Sequence, residues 1–340
     1  MKVYELGERG LIAAIHRLQK TPPRGYLGIG DDAAVLPPSG DGWLASSDML
    51  VEGVHFRSEW VNPGHLGEKA VAVNLSDIAA MGGVPRGLLT SIGLPRDTQV
   101  DWVEAFYRGM AKALDEYGVV LLGGDTVGSP GPLIISVTVL GQVEGGAPVL
   151  RRGAKPGDRL VVTGRLGASR AGLALLQDGV RWPGRNVTER SVLTAHLMPK
   201  ARVDAGLRLR PLAHAMTDIS DGLVAELVEL VQFGGIGARI FEEQLPVDGA
   251  TAEVARRYRQ DPRQWVYYGG EDYELLAAVP PSRLEEARER LSECQVSLTE
   301  VGVVTDTPGL TAVRPDGKEE PLNERGAFDH FQLVRVSSGG

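Results

Sequence analysis

Gly28-Ile29-Gly30-Asp31-Asp32-Ala33-Ala34-Val35-Leu36-Pro37-Pro38 carries the glycine spacing of a dinucleotide-binding turn without its sequel. That fingerprint must open a helix directly after a strand. Here the glycines lead into a short, strand-like apolar run that stops on two prolines, so a dinucleotide fold is set aside. The adjacent acids Asp31 and Asp32 fit a hairpin corner and a metal ligand about equally. Asp32 suits a metal better if the acids near Asp48 lie beside it.

The same device recurs along the chain. Ser46-Ser47-Asp48, Gly123-Gly124-Asp125-Thr126 and Asp218-Ile219-Ser220-Asp221-Gly222 each follow an apolar run, and Asn74-Leu75-Ser76-Asp77 lies in a helical stretch. Each has an ordinary reading. Asp48 can be a turn residue, or with its two serines part of a magnesium shell. Asp77 falls among Val71, Val73, Leu75 and Ile78, where a buried carboxylate would need a counter-charge. The Gly123-Gly124 pair reads as a strand end, where a phosphate can approach backbone amides, or as a plain turn. Asp221 reads as a helix N-cap, which leaves Asp218 unexplained. Gly269-Gly270-Glu271-Asp272 fits an exposed edge, and Arg151-Arg152 fits a surface pair or a phosphate site. Carboxylates gathered in one place need cations, and cations so held usually bind phosphates.

Composition narrows the class. A chain of 340 residues with 43% hydrophobic and 24% charged content is an ordinary globular protein, with two domains as the natural expectation. A net charge of −8 argues against nucleic acid as a partner. Cys294 is the single cysteine, which excludes an internal disulfide and Cys-rich metal sites. The start Met1-Lys2-Val3-Tyr4-Glu5 is not a signal peptide, and no run approaches a membrane span. A soluble, cytoplasmic protein is expected.

The elements alternate between strands and helices in both halves. Helices are predicted over about 5–19, 63–81, 100–117, 168–177, 201–209, 222–233 and 281–293. Strands are predicted over 27–36, 43–48, 88–93, 119–122, 133–143, 159–163, 213–219 and 273–279, with strands and turns closing the chain. Asn62-Pro63 is a good helix start and Gly82-Gly83 a good stop. The expected domains are 1–150 and 151–335, followed by a flexible tail, 336–340. Phosphate loops with a lysine, protein-kinase signatures and GxSxG nucleophile patterns do not occur.

Taken in order, GIGDDAAV, NLSDIAAMGG, GGDT, RRGAKPGD, DISDGL and GGEDYELL resemble the thiamine-monophosphate kinases of the PurM-like (aminoimidazole ribonucleotide synthetase-like) superfamily. The similarity runs from about Gly7 to Phe331. Each piece is modest, but the ordered set is specific. The resemblance implies two α/β domains with mixed sheets, a homodimer with a β-barrel-like interface, and Mg-ATP in a cleft. It puts metal ligands at Asp32, Ser46, Ser47, Asp48, Asp77, Asp125, Asp218 and Asp221. Nucleotide contacts fall on Gly124, Asp125, Arg151, Ser220 and Tyr107. Contacts to thiamine monophosphate fall on His55, Glu271 and Phe328. Ser47 and Phe328 stand where relatives carry threonine and tyrosine, exchanges that keep the hydroxyl and the ring.

The implied reaction moves the γ-phosphoryl group of ATP onto thiamine monophosphate, giving thiamine diphosphate and ADP. The acceptor phosphate is largely dianionic at neutral pH, so no general base is expected. Asp48, Asp125 and Arg151 are the residues expected to matter most, through several Mg²⁺ ions. Glu271 and Phe328 suit a thiazolium cation by charge and ring face. Other members of the superfamily fit less well. Selenophosphate synthetase-like chemistry wants a reactive cysteine near the N-terminus, and hydrogenase-maturation proteins of this fold end in one, whereas this chain ends Ser337-Ser338-Gly339-Gly340. From another class, a non-catalytic nucleotide or metal sensor would also gather acids.

Overall fold

A computed structural model of the chain describes residues 31–36, 42–232, 234–323 and 326. The helix expected over 5–19, most of the turn after Leu36, Phe328 and the 336–340 tail lie outside the described residues.

The first half builds β1 (Ala34–Leu36), β2 (Gly42–Val51), α1 (Pro63–Ala80), β3 (Val84–Pro95), α2 (Val100–Tyr117), β4 (Val120–Ser129) and β5 (Ile134–Val143). The strands form one sheet in the order β1-β2-β5-β3-β4. Only β3 and β4 pair in parallel, with α2 as their crossover. Alternation along the strands gives the sheet a covered and an open face. Leu44, Leu50, Leu88, Ile92, Ile135, Val137 and Val139 are buried on the covered face. Met49 and Leu89 stay 52% and 40% exposed on the other.

The second half builds β6 (Arg159–Thr163), α3 (Ala168–Gln177), α4 (Val187–Leu197), α5 (Val203–Leu209), β7 (Ala215–Asp218), α6 (Leu223–Val231) and β8 (Gly237–Phe241). It continues through α7 (Gly249–Arg257), α8 (Pro262–Tyr268), β9 (Leu275–Val279), α9 (Leu284–Glu293), β10 (Leu298–Thr305), β11 (Gly309–Val313) and β12 (Glu319–Pro321). Its sheet runs β12-β11-β8-β10-β6-β9-β7. The molecule is thus mixed α/β with two sheets, as the alternation of elements predicts.

Helix α1 joins the two halves. The Asn62 side chain accepts the His65 N–H at 2.8 Å and Pro63 takes the first turn, so the start is set as the sequence suggests. Its residues from Leu66 to Ser76 are all buried, because α1 packs on β2, β5 and α2 on one side and on α5 and β7 on the other. Two glycines let α2 approach. A methyl group on Gly67 would lie 2.1 Å from the Phe106 carbonyl oxygen, and one on Gly109 would lie 1.9 Å from that of Gly64.

Two expectations are corrected. Gly123-Gly124-Asp125-Thr126 does not end a strand, since β4 continues through it to Ser129, paired with β3. Neither Ser220 nor Asp221 caps a helix. Gly222, at φ 100°, precedes α6, and no side chain caps it. The Glu226 carboxylate instead accepts the Asp221 N–H at 3.2 Å and the Ser220 hydroxyl at 3.4 Å. Helices α4, α7 and α8 and strand β8 fall where no element is predicted.

Candidate active site

The covered face of the first sheet meets the end of β7. Ser46 and Asp48 project from β2 on that face. Asp77 comes from α1, and Asp32 from the segment leading into β1. Asp218 ends β7, with Asp221 in the following loop. Asp32, Asp77 and Asp218 each offer a carboxylate oxygen within 4.8 Å of the others. Asp32 and Asp218 are buried, while Asp77 keeps some exposure.

Short hydrogen bonds fix these acids. The Ser46 hydroxyl donates to Asp77 at 2.5 Å and the Ser76 hydroxyl to Asp218 at 2.6 Å. The Thr217 hydroxyl donates to Asp32 at 2.9 Å. Arg151 grips Asp32 with both arms of its guanidinium, Nε at 2.9 Å and Nη2 at 2.7 Å. Its backbone N–H reaches Asp31 at 3.2 Å. Asn74 accepts the Asp48 N–H at 3.1 Å and donates to the Ala70 carbonyl at 2.9 Å, tying β2 to α1.

The electrostatics are those of a site short of positive charge. Burial first, and then the charge of Asp32, pushes Asp218 up to about 8. Burial followed by the charges of Asp221 and Asp32 pushes Asp48 up to about 6. Asp77 is driven well above the carboxylate range by burial and by Asp48, Asp218 and Asp32. Beneath the loop, Glu226 is raised by burial and by Asp218. Burial works against the Arg151 charge, but Asp32 outweighs it and holds the guanidinium protonated. Two like charges about 4 Å apart repel by roughly 4 kcal/mol at an effective dielectric of 20. A single bidentate arginine on Asp32 does not offset such crowding. An all-oxygen donor set of carboxylates and a serine hydroxyl fits a hard divalent cation.

Next to the acids runs the loop Gly269-Gly270-Glu271-Asp272-Tyr273. Glu271 and Tyr273 have φ of 57° and 50°, a left-handed backbone that costs energy in residues with side chains. Hydrogen bonds hold it there. The Glu271 N–H donates to the Ser220 carbonyl at 2.6 Å and that of Tyr273 to Ile219 at 2.9 Å. Asp272 accepts the Gly167 N–H at 2.8 Å. The loop is thereby fastened to the segment that carries Asp218 and Asp221.

This geometry agrees with what the chain is similar to. The model of the AIR synthase related protein N-terminal domain matches residues 30–143, and that of the C-terminal domain matches residues 155–314. Thiamine-monophosphate kinase of Escherichia coli strain K12 is 38% identical over 328 residues, which cover 96% of this chain and 98% of that protein. The chain belongs to the thiamine-monophosphate kinase family. The Aquifex aeolicus member is 36% identical over 319 residues, covering 94% of this chain and 97% of its own. A solved structure of AaThiL complexed with AMPPCP and TMP matches with a TM-score of 0.85 at 36% identity, over 97% of this chain and 99% of that one. Escherichia coli HypE, a hydrogenase maturation protein, shares the fold with a TM-score of 0.69 at 22% identity, over 84% of this chain and 86% of that one.

The residues that likeness to thiamine-monophosphate kinases singles out do not all fall in one place. Asp32, Ser46, Asp48, Asp77, Asp218, Ser220, Asp221 and Arg151 lie at or beside the acid cluster described above. Ser47 and Asp125 are not brought to it. Asp48 pairs with Val137, Val137 with Thr90, and Thr90 with Gly124, so those residues share one row and one face. Ser47 and Asp125 are each one step off that row and point to the open face. The Ser47 hydroxyl donates to the Val137 carbonyl at 3.0 Å, and Asp125 is exposed on the edge strand. In the order β2-β5-β3-β4, three strand spacings, about 14 Å, separate Asp48 from Gly124. Tyr107 is half-buried on α2 against Phe106. His55 accepts the Val51 N–H on Nδ1 at 3.0 Å. It lines a small pocket with Phe56, Trp60, Lys69 and His196.

Several participants escaped the sequence. Glu226 and Thr217 lie in apolar runs where only the fold shows what they face. Lys69 does carry a signal in the sequence. It stands seven residues before Ser76, on the same stripe of an otherwise apolar helix.

Proposed function

We propose that this chain transfers the γ-phosphoryl group of ATP to the phosphate of thiamine monophosphate, giving thiamine diphosphate and ADP. The observation that carries this reading is the acid cluster shared by both halves, in a chain that matches thiamine-monophosphate kinases along nearly its full length. AMPPCP, present with TMP in the AaThiL structure, has the outline of ATP with its β–γ bridge made unreactive.

We assign Asp32, Asp48, Asp77, Asp218 and Asp221, with the Ser46 hydroxyl, to holding Mg²⁺. Bound there, Mg²⁺ offsets charge between the two polyanionic reactants and stabilises charge on the phosphoryl group in flight. The protein's own part is positioning. The acceptor is already a dianion, so no side chain need remove a proton. Arg151 presents a planar fork, held by Asp32, that suits a phosphate oxygen pair. Gly124, Asp125, Ser220 and Tyr107 are proposed nucleotide contacts, and Ser47 and Asp125 are kept as proposed metal ligands on the open face of the sheet, apart from the acid cluster. His55, Glu271 and Phe328 are proposed to hold the thiamine moiety.

A homodimer completes the reading. Val120, Leu122 and Val127 of β4 are 56%, 56% and 54% exposed, beside Met49 and Leu89 on the open face. Among the described residues β4 is an edge strand, and an edge next to an apolar face suits a second copy of the same sheet. The reaction is assigned to the cytoplasm. Among the described residues no helix is long and apolar enough to cross a membrane.

The test is an assay with Mg-ATP and a panel of phosphate acceptors, following ADP and product. Turnover with thiamine monophosphate alone supports the proposal. Tight ATP binding with no turnover on any acceptor would replace it with a nucleotide sensor.

A further inference from the structure

Lys69 is 2% exposed, in the middle of the buried helix α1. Lysine is almost never fully buried unless it is paired. Its ammonium lies 2.7 Å from Glu271 Oε1, on the far side of the boundary between the two halves. The other oxygen of Glu271 lies 3.1 Å from His196 Nδ1. Burial first, and then the Lys69 charge, lowers His196 to about 4, so the ring is neutral and Lys69 is the charged partner. Burial acts to raise Glu271, but Lys69 overrides it and holds the carboxyl below its usual range.

An ion pair of this kind could merely join two halves of a chain. Three features point further. The Glu271 side chain is still 25% exposed, with Lys69 and His196 against its two carboxylate oxygens. Its backbone is held at φ 57° in the loop fastened to Ser220, beside the acids. Lys69 and His196 also line the pocket that His55 enters. Lys69 thus holds Glu271 and lines one pocket with His55, the two described residues proposed to touch the thiamine moiety.

We infer that Lys69 is a positioning residue for the phosphate acceptor, fixing the Glu271 carboxylate beside His55. This rests on the activity proposed above. The pairing also alters what Glu271 offers. Its charge is already matched, so it acts as an oriented hydrogen-bond acceptor rather than as a free counter-ion for the thiazolium ring. In this role the influence of Lys69 on the acceptor runs through Glu271.

The test compares Lys69→Met, Glu271→Gln and the double variant with the parent enzyme. Steady-state kinetics are measured against thiamine monophosphate and ATP separately. Lys69→Met is expected to raise KM for thiamine monophosphate by about tenfold or more, with KM for ATP changed by less than about twofold. The double variant should match Glu271→Gln within about twofold, since both remove one interaction. Unchanged KM for thiamine monophosphate in folded Lys69→Met overturns the inference, as does an additive loss in the double variant. Where Lys69→Met alone does not fold, the double variant, which leaves no unpaired charge, carries the comparison. Failure of both to fold assigns Lys69 to stability only and also overturns it. A parent enzyme inactive on thiamine monophosphate is a separate result, which refutes the proposed activity whatever Lys69 does.

Discussion

Asp218 shows how a single side chain sets function against stability. Its folded value near 8 lies far above the ordinary 3.8, through burial and the Asp32 charge. Between those values the folded state binds more protons than the unfolded chain. Stability is therefore full at low pH and is lost as pH rises toward 8. Asp218→Asn removes the charge and keeps an acceptor for Ser76. Without divalent cations at pH 8 it should melt a few degrees above the parent, while turnover falls by about a hundredfold or more. Thermal melts and the kinase assay check both halves, and a lower melting temperature would contradict the charge-crowding account. His196 works in the opposite direction. Its value near 4 is depressed, by burial first and then by Lys69. Below about 6.5, the usual histidine value, the unfolded chain takes up a proton that the folded chain refuses. The parent should lose about 2 kcal/mol from this residue between pH 7 and pH 5. His196→Gln should flatten that part of a urea-unfolding profile.

At the scale of elements, the glycines between α1 and α2 matter most. Gly109→Ala would put a methyl group 1.9 Å from the Gly64 carbonyl oxygen. Overpacking of this kind costs about 1–3 kcal/mol, and a thermal melt should show it. Because α1 carries Lys69, Ser76 and Asp77, turnover should fall with it, whereas a loss of stability alone would mean that α1 does not shift. Elements also show where the sequence was legible. Asn62-Pro63 and Gly82-Gly83 bracketed α1 because capping is local chemistry, and past the end of α2 Gly118 takes a left-handed φ of 66°. Gly123-Gly124 misled, because glycine inside a parallel pair looks like a turn until the partner strand is known. Gly124 is there because the Thr90 carbonyl oxygen leaves no room for a side chain. Asp221 misled for a related reason, since an acid before an apolar helix reads as a cap whether or not its side chain accepts a backbone N–H of the first turn.

For the whole molecule, the ordered motifs carried the fold, and five of the six acids expected to hold metal lie at or beside one cluster built from both halves. Asp125 does not, because which face a strand residue presents depends on register, and register depends on pairing. The open face bears on assembly. If a second copy covers Met49, Leu89 and Val127, Leu89→Lys with Val127→Lys should convert a dimer to a monomer in sedimentation velocity. A parent that sediments as a monomer would reject the dimer.

Helix α1 can finally be regarded as a camshaft. Lys69, Ser76 and Asp77 are three lobes on one axle, driving Glu271, Asp218 and Ser46 respectively. Timing on such a shaft is set by residue count, at about 100° of rotation per residue. One alanine inserted after Val73 would leave the first lobe engaged and turn the other two out of mesh. The acceptor grip would survive and the acid cluster would come apart. The segment between Lys69 and Asp77 therefore tolerates changes of side chain more readily than any change in length.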